Sequence, residues 1–122
     1  MKTRFDGTLW IGAGGTVFRP EEMETDHLLN TVKMLKSKPH ITVNMIVRDI
    51  EAAPDFQPFE PFRATCEDIK KASLFNVTSM TPDQLADYAL NSNLGKALKA
   101  ELIRRGVNIE NYLLMIESPE TL

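Results

Sequence analysis

Residues 8–38 read TLWIGAGGTVFRPEEMETDHLLNTVKMLKSK, and this stretch passes from strand-like to helix-like patterning. Two β-prone runs within residues 8–19 lie on either side of Gly14 and Gly15. Branched and aromatic side chains favour strands, and glycine supplies the positive φ angles that tight hairpin turns require. The stretch therefore predicts a short β-hairpin.

The second part of this stretch predicts an amphipathic helix over residues 25–38. Thr25 is a suitable N-cap, and Asp26 places a negative charge in the first turn, where the helix dipole favours it. Pro39 cannot continue the helix and ends it. The apolar residues recur at i, i+1, i+4 and i+7 and form one face of the helix: Leu28, Leu29, Val32 and Leu35.

Residues 40–53 carry two competing patterns. Every second residue from Ile41 to Val47 is apolar, as in a half-buried strand. From Met45 onward the apolar residues also recur at helical spacing. The interpretation we favour is a strand-like start that runs into a helix.

Residues 54–63 contain three prolines and are predicted to form a loop. Phe56, Phe59 and Phe62 recur every third residue, which is the repeat of a polyproline II helix. Two interpretations stay open: the rings pin the loop to the core, or they present an aromatic surface to a partner or a neighbouring subunit.

The C-terminal half, residues 64–117, is predicted to be helical. A first short helix runs from Thr65 to about Leu74. Thr81-Pro82-Asp83-Gln84 is the clearest helix start in the chain, because Thr is a good N-cap, Pro suits N1 and Gln at N3 completes a capping box.

Two further helices are predicted after that start. Leu94–Arg105 is followed by Gly106, which suits the residue after a helix end, and Asn108 can cap a last helix. We therefore predict an α+β fold in which a short N-terminal β-hairpin precedes a mostly helical body, with residues 1–122 as one small domain.

Composition excludes several classes of function. The chain has 14 basic and 17 acidic residues, a net charge of −3, whereas a sequence-independent nucleic-acid binder carries a basic excess. One cysteine allows no intrachain disulfide. No apolar run approaches the ~20 residues of a membrane span, and none has signal-peptide length. We expect a cytoplasmic protein without a membrane or sequence-independent nucleic-acid partner.

Catalytic groups are sparse in this sequence. The histidines are His27 and His40, and the one cysteine is Cys66. They cannot build a His-rich metal site, and no residue spacing identifies a base or an oxyanion hole for a cysteine nucleophile. Residues 12–16 lack both the GxGxxG pattern and the Lys-Ser or Lys-Thr of a phosphate loop. A non-enzymatic binding protein without a cofactor is therefore predicted. An enzyme dependent on His27 or Cys66 ranks below the two binding functions described at the end of this section.

Several scattered residues could bind a nucleotide-type ligand. Arginine forks match phosphate oxygens, aromatic rings stack on bases, and the backbone N–H groups of glycine loops can approach phosphate. A purely structural role for these residues stays open as the alternative. Arginines at a helix C-terminus are favoured by the helix dipole without any ligand, and aromatic rings commonly pack in the core. The candidate ligand-binding residues are Trp10, Gly14, Arg19, Arg48, Phe75, Arg104 and Arg105.

Residues 9–35 resemble a pattern found in small phage and prophage proteins. The pattern combines Trp10, Gly14-Gly15 and Pro20 with a Met-x3-His-Leu-x-Asn-Thr motif over Met23–Thr31. In those proteins a Trp-bearing hairpin leads through a methionine to a helix with an apolar tail. The resemblance implies a phage or prophage origin.

The resemblance is not itself a function, but such proteins are a frequent source of antagonists of bacterial immunity, and two kinds of antagonist fit this chain. One kind sequesters a nucleotide second messenger, like the anti-Thoeris sponges, whose ligands are cyclic ADP-ribose isomers. We expect this kind, acting in the host cytoplasm as a homo-oligomer, because so small a chain has little interior to spare for a pocket. The alternative is a protein that inhibits a defence protein by binding its surface, as many anti-CRISPR proteins do, and a phage structural role also stays open.

Overall fold

Six α-helices and one two-stranded hairpin make up residues 3–52 and 63–116, the part of the chain that the computed structural model describes. The hairpin comes first and the helices follow it. The predicted α+β fold, a short N-terminal hairpin with a mostly helical body in one small domain, is confirmed.

The hairpin is shorter than its two β-prone runs. Strand β1 (Trp10–Ile11) pairs antiparallel with β2 (Val17–Phe18). In the connection between them Gly14 and Gly15 adopt φ angles of 79° and 85°. Residues that carry a side chain rarely adopt these backbone angles. The prediction that the glycines supply positive φ is confirmed.

Helix α1 (Thr25–Ser37) follows the hairpin through a 3₁₀ turn, Pro20–Glu22. Its N-cap is Glu24, whose carbonyl oxygen accepts a hydrogen bond from the Leu28 amide at 3.0 Å. Thr25 is already helical, so the prediction that it is the N-cap is wrong by one residue. Three residues of the predicted stripe, Leu28, Val32 and Leu35, are buried. Leu29 is only partly buried, and Thr31, which was not predicted, completes the buried face.

Helix α2 (Pro39–Ala52) is helical from its first residue, so the predicted strand-like start is wrong. Pro39 stands at the first helical position, where its missing N–H group is not needed. The helix packs against α1 and two later helices, so apolar side chains are needed around much of its circumference. These additional apolar residues produced the alternating pattern in the sequence. Its buried residues are spaced by three and four positions: Pro39, Thr42, Ile46 and Ile50.

Helix α3 (Arg63–Thr78) continues past Leu74, where the sequence analysis ended it. Val77 lies in the core, and the Thr78 hydroxyl donates a hydrogen bond to the Leu74 carbonyl at 2.8 Å, so the last turn is held on both sides. Arg63 belongs to this helix rather than to the predicted loop. The rest of that loop, with its three phenylalanines, lies outside the described residues.

Helix α4 (Pro82–Asn91) begins at the predicted capping box. The Gln84 amide donates to Thr81 Oγ1 at 3.2 Å, and the Thr81 amide donates to Gln84 Oε1 at 2.9 Å. This start signal lies within four consecutive residues, so its prediction is confirmed.

Helix α5 (Asn93–Arg104) is followed by the C-cap residue Arg105 and then by Gly106, which has a φ of 85°. The amides of Gly106 and Val107 donate to the carbonyl oxygens of Ile103 and Leu102 at 2.9 and 3.0 Å. This is the Schellman pattern that closes a helix on a left-handed residue. Gly106 is therefore confirmed as the residue that follows the helix end, while the helix itself differs by one residue at each end from the predicted Leu94–Arg105.

Helix α6 (Ile109–Met115) is capped by Asn108, whose side chain accepts a hydrogen bond from the Asn111 amide at 3.2 Å, as predicted. The Tyr112 hydroxyl donates to the Leu29 carbonyl of α1 at 3.0 Å, and burial raises the pKa of Tyr112. The Lys36 ammonium of α1 donates to the Leu113 carbonyl. The last helix is therefore tied to the first.

The core lies where α1, α2, α4 and α5 meet. Trp10 is only 6% exposed and extends this core to the hairpin. The largest fully buried side chains of the core include Phe5, Leu28, Leu35, Ile46, Leu85, Leu94, Leu98 and Leu102.

The N-terminal 3₁₀ turn, Arg4–Asp6, is held against α2 by an ion pair. Both Arg4 Nε and Nη2 donate to the Asp49 carboxylate at 3.0 Å, and the Arg4 amide donates to it at 2.9 Å. Partial burial raises the pKa of Asp49, but the hydrogen bonds from Arg4 outweigh it and leave that pKa below its usual value. Phe5, beside Arg4, is fully buried and packs edge-to-face on Tyr88.

Within the described ranges, no helix combines the length and the apolar character needed to cross a lipid bilayer.

Candidate functional site

An open groove of about 570 Å³ lies where the Pro20–Glu22 turn packs against α5. Its walls come from the hairpin, the turn and one face of that helix. The lining residues are Thr8, Leu9, Arg19, Pro20, Glu21, Ala97, Ala100, Glu101 and Arg104.

The α5 wall of the groove is a single helical face. Ala97, Ala100, Glu101 and Arg104 follow one another at i, i+3, i+4 and i+7, which places them side by side on the helix. Because alanine side chains are small, Ala97 and Ala100 leave space above the helix surface. The half-exposed Leu9 adds an apolar side chain from the hairpin. The groove thus has an apolar wall with charged groups beside it.

Glu101 is a nearly buried carboxylate, 9% exposed, that pairs with two arginines. Arg104 donates to both of its oxygens, from Nε at 2.9 Å and also from Nη2, while Arg105 Nε donates to Oε1 at 2.9 Å. The hydrogen bonds from Arg104 lower the pKa of Glu101 to about 2, with Arg105 adding to the effect and burial opposing it. Glu101 in turn raises the pKa of Arg104.

The Arg105 guanidinium donates hydrogen bonds to four groups among the described residues. Besides Glu101, its guanidinium donates from Nη1 to Thr25 Oγ1 at 3.1 Å, and from Nη2 to the carbonyl oxygens of Pro20 and Glu21 at 3.5 and 3.3 Å. Its side chain is 19% exposed. These contacts make Arg105 a strut between α5, α1 and the turn, located behind the groove rather than in it.

Arg104 differs from its neighbour because its side chain is 67% exposed and lines the groove. A bound anion could draw this guanidinium away from Glu101. Arg105 would still pair with the carboxylate, so no buried charge would be left alone. The arrangement therefore allows Arg104 to exchange partners while Arg105 keeps the Glu101 carboxylate paired.

Arg19 enters the groove from the opposite side, just after β2. It is exposed, and its Nε lies 3.9 Å from Glu22 Oε1, a loose surface ion pair. Such pairs contribute little and break readily. Arg19 is thus available to a ligand.

Two of the sequence-predicted arginines, Arg19 and Arg104, therefore line one groove. Arg105 belongs to the structural network behind it, which argues against the phosphate-binding role predicted for it.

The remaining candidates lie elsewhere. Trp10 is in the core, which argues against stacking on a ligand, and Gly14 is at the hairpin turn. Arg48 is exposed on α2 and Phe75 on α3, and neither lines the groove. Fold geometry thus separates residues that the sequence analysis grouped by chemistry alone.

His27 packs within the structure. Its ring lies edge-on to Phe18 of β2, with 5.4 Å between centroids and planes at 87°. Its carbonyl oxygen accepts a hydrogen bond from the Thr31 hydroxyl at 2.8 Å. His27 thus holds the hairpin on α1. The side chain of Cys66 lies outside the described residues.

Sequence reasoning missed Glu21 and Glu101 as groove residues. The spacing of Glu101 to Arg104 and Arg105, i+3 and i+4, is the signal of helical ion pairs and could have revealed that carboxylate. No comparable local pattern marks Glu21.

In the part of the chain that the structure describes, no cluster of three or more His, Cys, Asp or Glu side chains could hold a metal ion. No protein family, curated protein or solved structure matches this chain. The residues of the groove are therefore the basis for a functional proposal.

Proposed function

We propose that this chain is a non-enzymatic, phage-encoded anti-defence protein that sequesters a nucleotide-derived immune signal, such as a cyclic ADP-ribose isomer, in the host cytoplasm. The observation that carries the proposal is the placement of Arg19 and Arg104 on a groove of about 570 Å³.

The dimensions of the groove suit a small molecule, since ligand sites commonly have volumes of ~300–1,000 Å³. Arg19 and Arg104 can each direct N–H donors at phosphate oxygens. Ala97, Ala100 and Leu9 form an apolar surface on which a planar base could pack. Binding by these groups needs no nucleophile and no general base.

The positions of the charged side chains in the groove favour an anion, although the sum of their charges does not. Glu101 faces it, but this carboxylate is already neutralised by the two arginines that donate to it. Counting Arg105 behind the wall and Glu22 beside the groove, three arginines stand against three glutamates, so these charges balance. A phosphate would therefore be held by the N–H donors of Arg19 and Arg104 and not by an excess of positive charge.

Native mass spectrometry of the protein with cyclic nucleotides and cyclic ADP-ribose isomers tests the proposal. We expect an unaltered ligand to be retained, and the same spectra report the subunit count of the expected homo-oligomer. Arg19→Ala/Arg104→Ala should weaken binding about 100-fold through loss of two charged donors. The control Arg48→Ala removes an exposed arginine that does not line the groove and should bind like the wild type.

A chemically altered ligand would contradict sequestration and indicate an enzyme. Retention by the double variant would place the site outside this groove.

The second candidate is an antagonist that binds the surface of a defence protein. It is favoured by the exposed apolar side chains of Phe75, Leu114 and Met115, which are 71%, 81% and 80% exposed. Single residues of this kind are common on surfaces, so the observation is less specific than the groove. This candidate predicts a stable complex in infected cells that Phe75→Ser or Leu114→Ser disrupts, together with no affinity for the nucleotide panel.

A further inference from the structure

We propose that Glu21 selects the ligand of the groove, by accepting hydrogen bonds from a pair of sugar hydroxyls next to the phosphate, so that the site prefers a ribonucleotide. This inference rests on the proposed function and names the chemical class of its ligand.

Three acidic residues, Glu21, Glu22 and Glu101, lie in or beside the groove, and two of them have structural partners. Glu101 pairs with its two arginines, and Glu22 Oε1 accepts a hydrogen bond from the Arg19 amide at 3.3 Å. Among the described residues, no hydrogen bond or ion pair is formed by the Glu21 carboxylate, although the residue is exposed and lines the groove. Glu21 is thus the acid left for a ligand.

The backbone of Glu21 is nevertheless held in place. It lies in the middle of the 3₁₀ turn, and its carbonyl oxygen accepts a hydrogen bond from Arg105 Nη2 at 3.3 Å. A side chain on an anchored backbone loses less freedom on binding than one on a loose loop. The position suits a recognition residue.

The carboxylate decides which ligand fits beside the arginines. An ionised Glu only accepts hydrogen bonds, so it suits hydroxyl donors and repels phosphate oxygens. Arg104 attracts those same oxygens; its pKa is raised mainly by Glu101, and the charge of Glu21 adds to this effect. A ligand that presents phosphate to Arg104 and hydroxyls to Glu21 satisfies both groups. Acidic residues recognise ribose hydroxyls in this way in dinucleotide sites.

A matched pair of nucleotides isolates the hydroxyl contribution. AMP and 2′,3′-dideoxy-AMP share the base, its amino group and the phosphate, and differ in the two hydroxyls. Titration calorimetry with the full chain should show AMP binding about tenfold more tightly, since hydrogen bonds to a charged group are at stake. In Glu21→Gln the preference should fall to about twofold, because AMP loses affinity while dideoxy-AMP, freed of the nearby charge, binds equally well or better.

Glu24→Gln is the matched control. Glu24 precedes α1, is exposed, makes no side-chain cap hydrogen bond and does not line the groove. This variant removes the same charge and should keep the wild-type preference for AMP.

Other outcomes overturn the inference in distinguishable ways. If the wild type binds both nucleotides equally and Arg104→Ala weakens both, the groove remains a phosphate site and Glu21 does not select. If Glu21→Gln weakens both nucleotides equally, Glu21 has only a structural role. If the wild type binds neither nucleotide, the groove does not recognise a phosphate with an adjacent pair of ribose hydroxyls, and this inference is overturned. Retention of a ligand from the cyclic panel then decides the proposed function by itself.

Discussion

Arg105 and Thr25 are 80 positions apart in the chain, yet Arg105 Nη1 donates to Thr25 Oγ1 at 3.1 Å. The contact joins the C-terminal end of α5 to the first turn of α1. The same guanidinium also binds two carbonyl oxygens of the Pro20–Glu22 turn, so one side chain fastens two walls of the groove to each other.

Arg105→Ala should therefore lower the free energy of unfolding by about 2 kcal/mol, because a partly buried charged donor is lost and its acceptors are left with fewer partners. Urea denaturation followed by circular dichroism measures the change. Arg48→Ala, at an exposed position, should stay within about 0.5 kcal/mol of the wild type. Equal stability of the two variants would contradict the role of Arg105 as a strut.

Stability should fall in acid partly through Glu101. Its pKa is about 2 in the folded protein against an ordinary value of 4.5, so protonation favours the unfolded chain. The contribution of its ion pairs is complete above about pH 4.5 and is lost as the pH falls towards about 2. Asp49, whose pKa is also lowered, acts in the same direction.

The difference between wild type and Glu101→Gln isolates the first of these carboxylates, since Asp49 is present in both. Urea unfolding at several pH values between 7 and 2.5 should show a shallower loss for the variant below pH 4.5. Parallel curves would mean that the pKa of Glu101 is not lowered by folding.

Gly95→Ala should destabilise the protein by about 3 kcal/mol, because the junction of α4 and α5 leaves no room for a methyl group. A Cβ at Gly95 would lie 2.1 Å from the Ala89 carbonyl oxygen and 2.6 Å from that of Leu90. Both are backbone atoms, so relief requires a helix to move. Thermal unfolding measures the effect. Gly7→Ala is the control, since its nearest neighbour would lie 3.8 Å away, and comparable losses for both variants would contradict the steric explanation.

Thr42→Val should stabilise the protein by about 1 kcal/mol, since Thr42 Oγ1 is buried without a hydrogen-bond partner among the described residues. Thr31→Val makes the same chemical change where the hydroxyl donates to the His27 carbonyl at 2.8 Å, and it should destabilise by a similar amount. Chemical denaturation of both variants provides the comparison. A loss of stability in Thr42→Val would indicate that its hydroxyl has a partner in solution.

Local features of this chain were predictable from sequence because their causes lie within a few residues. The Gly14-Gly15 turn follows from the φ angles that glycine adopts. The N-cap of α4 at Thr81 and the closure of α5 by Gly106 follow from hydrogen bonds between near neighbours.

Elements whose conformation depends on packing were predicted less well. Residues from Ile41 to Val47 satisfy both a strand and a helix pattern, and contact with three other helices selects the helix. The end of α3 was placed too early because burial of Val77 depends on a core that its own sequence does not display.

For the candidate site, the sequence determined which side chains could bind phosphate, and tertiary structure decided which of them meet. Arg19 and Arg104 come together only because the Pro20–Glu22 turn packs on α5. The same packing turns Arg105 into a strut and exposes Glu21 beside Arg104. Adjacent arginines with the same chemistry thus differ in role, because burial and hydrogen-bond partners are properties of the folded chain and not of its residue types.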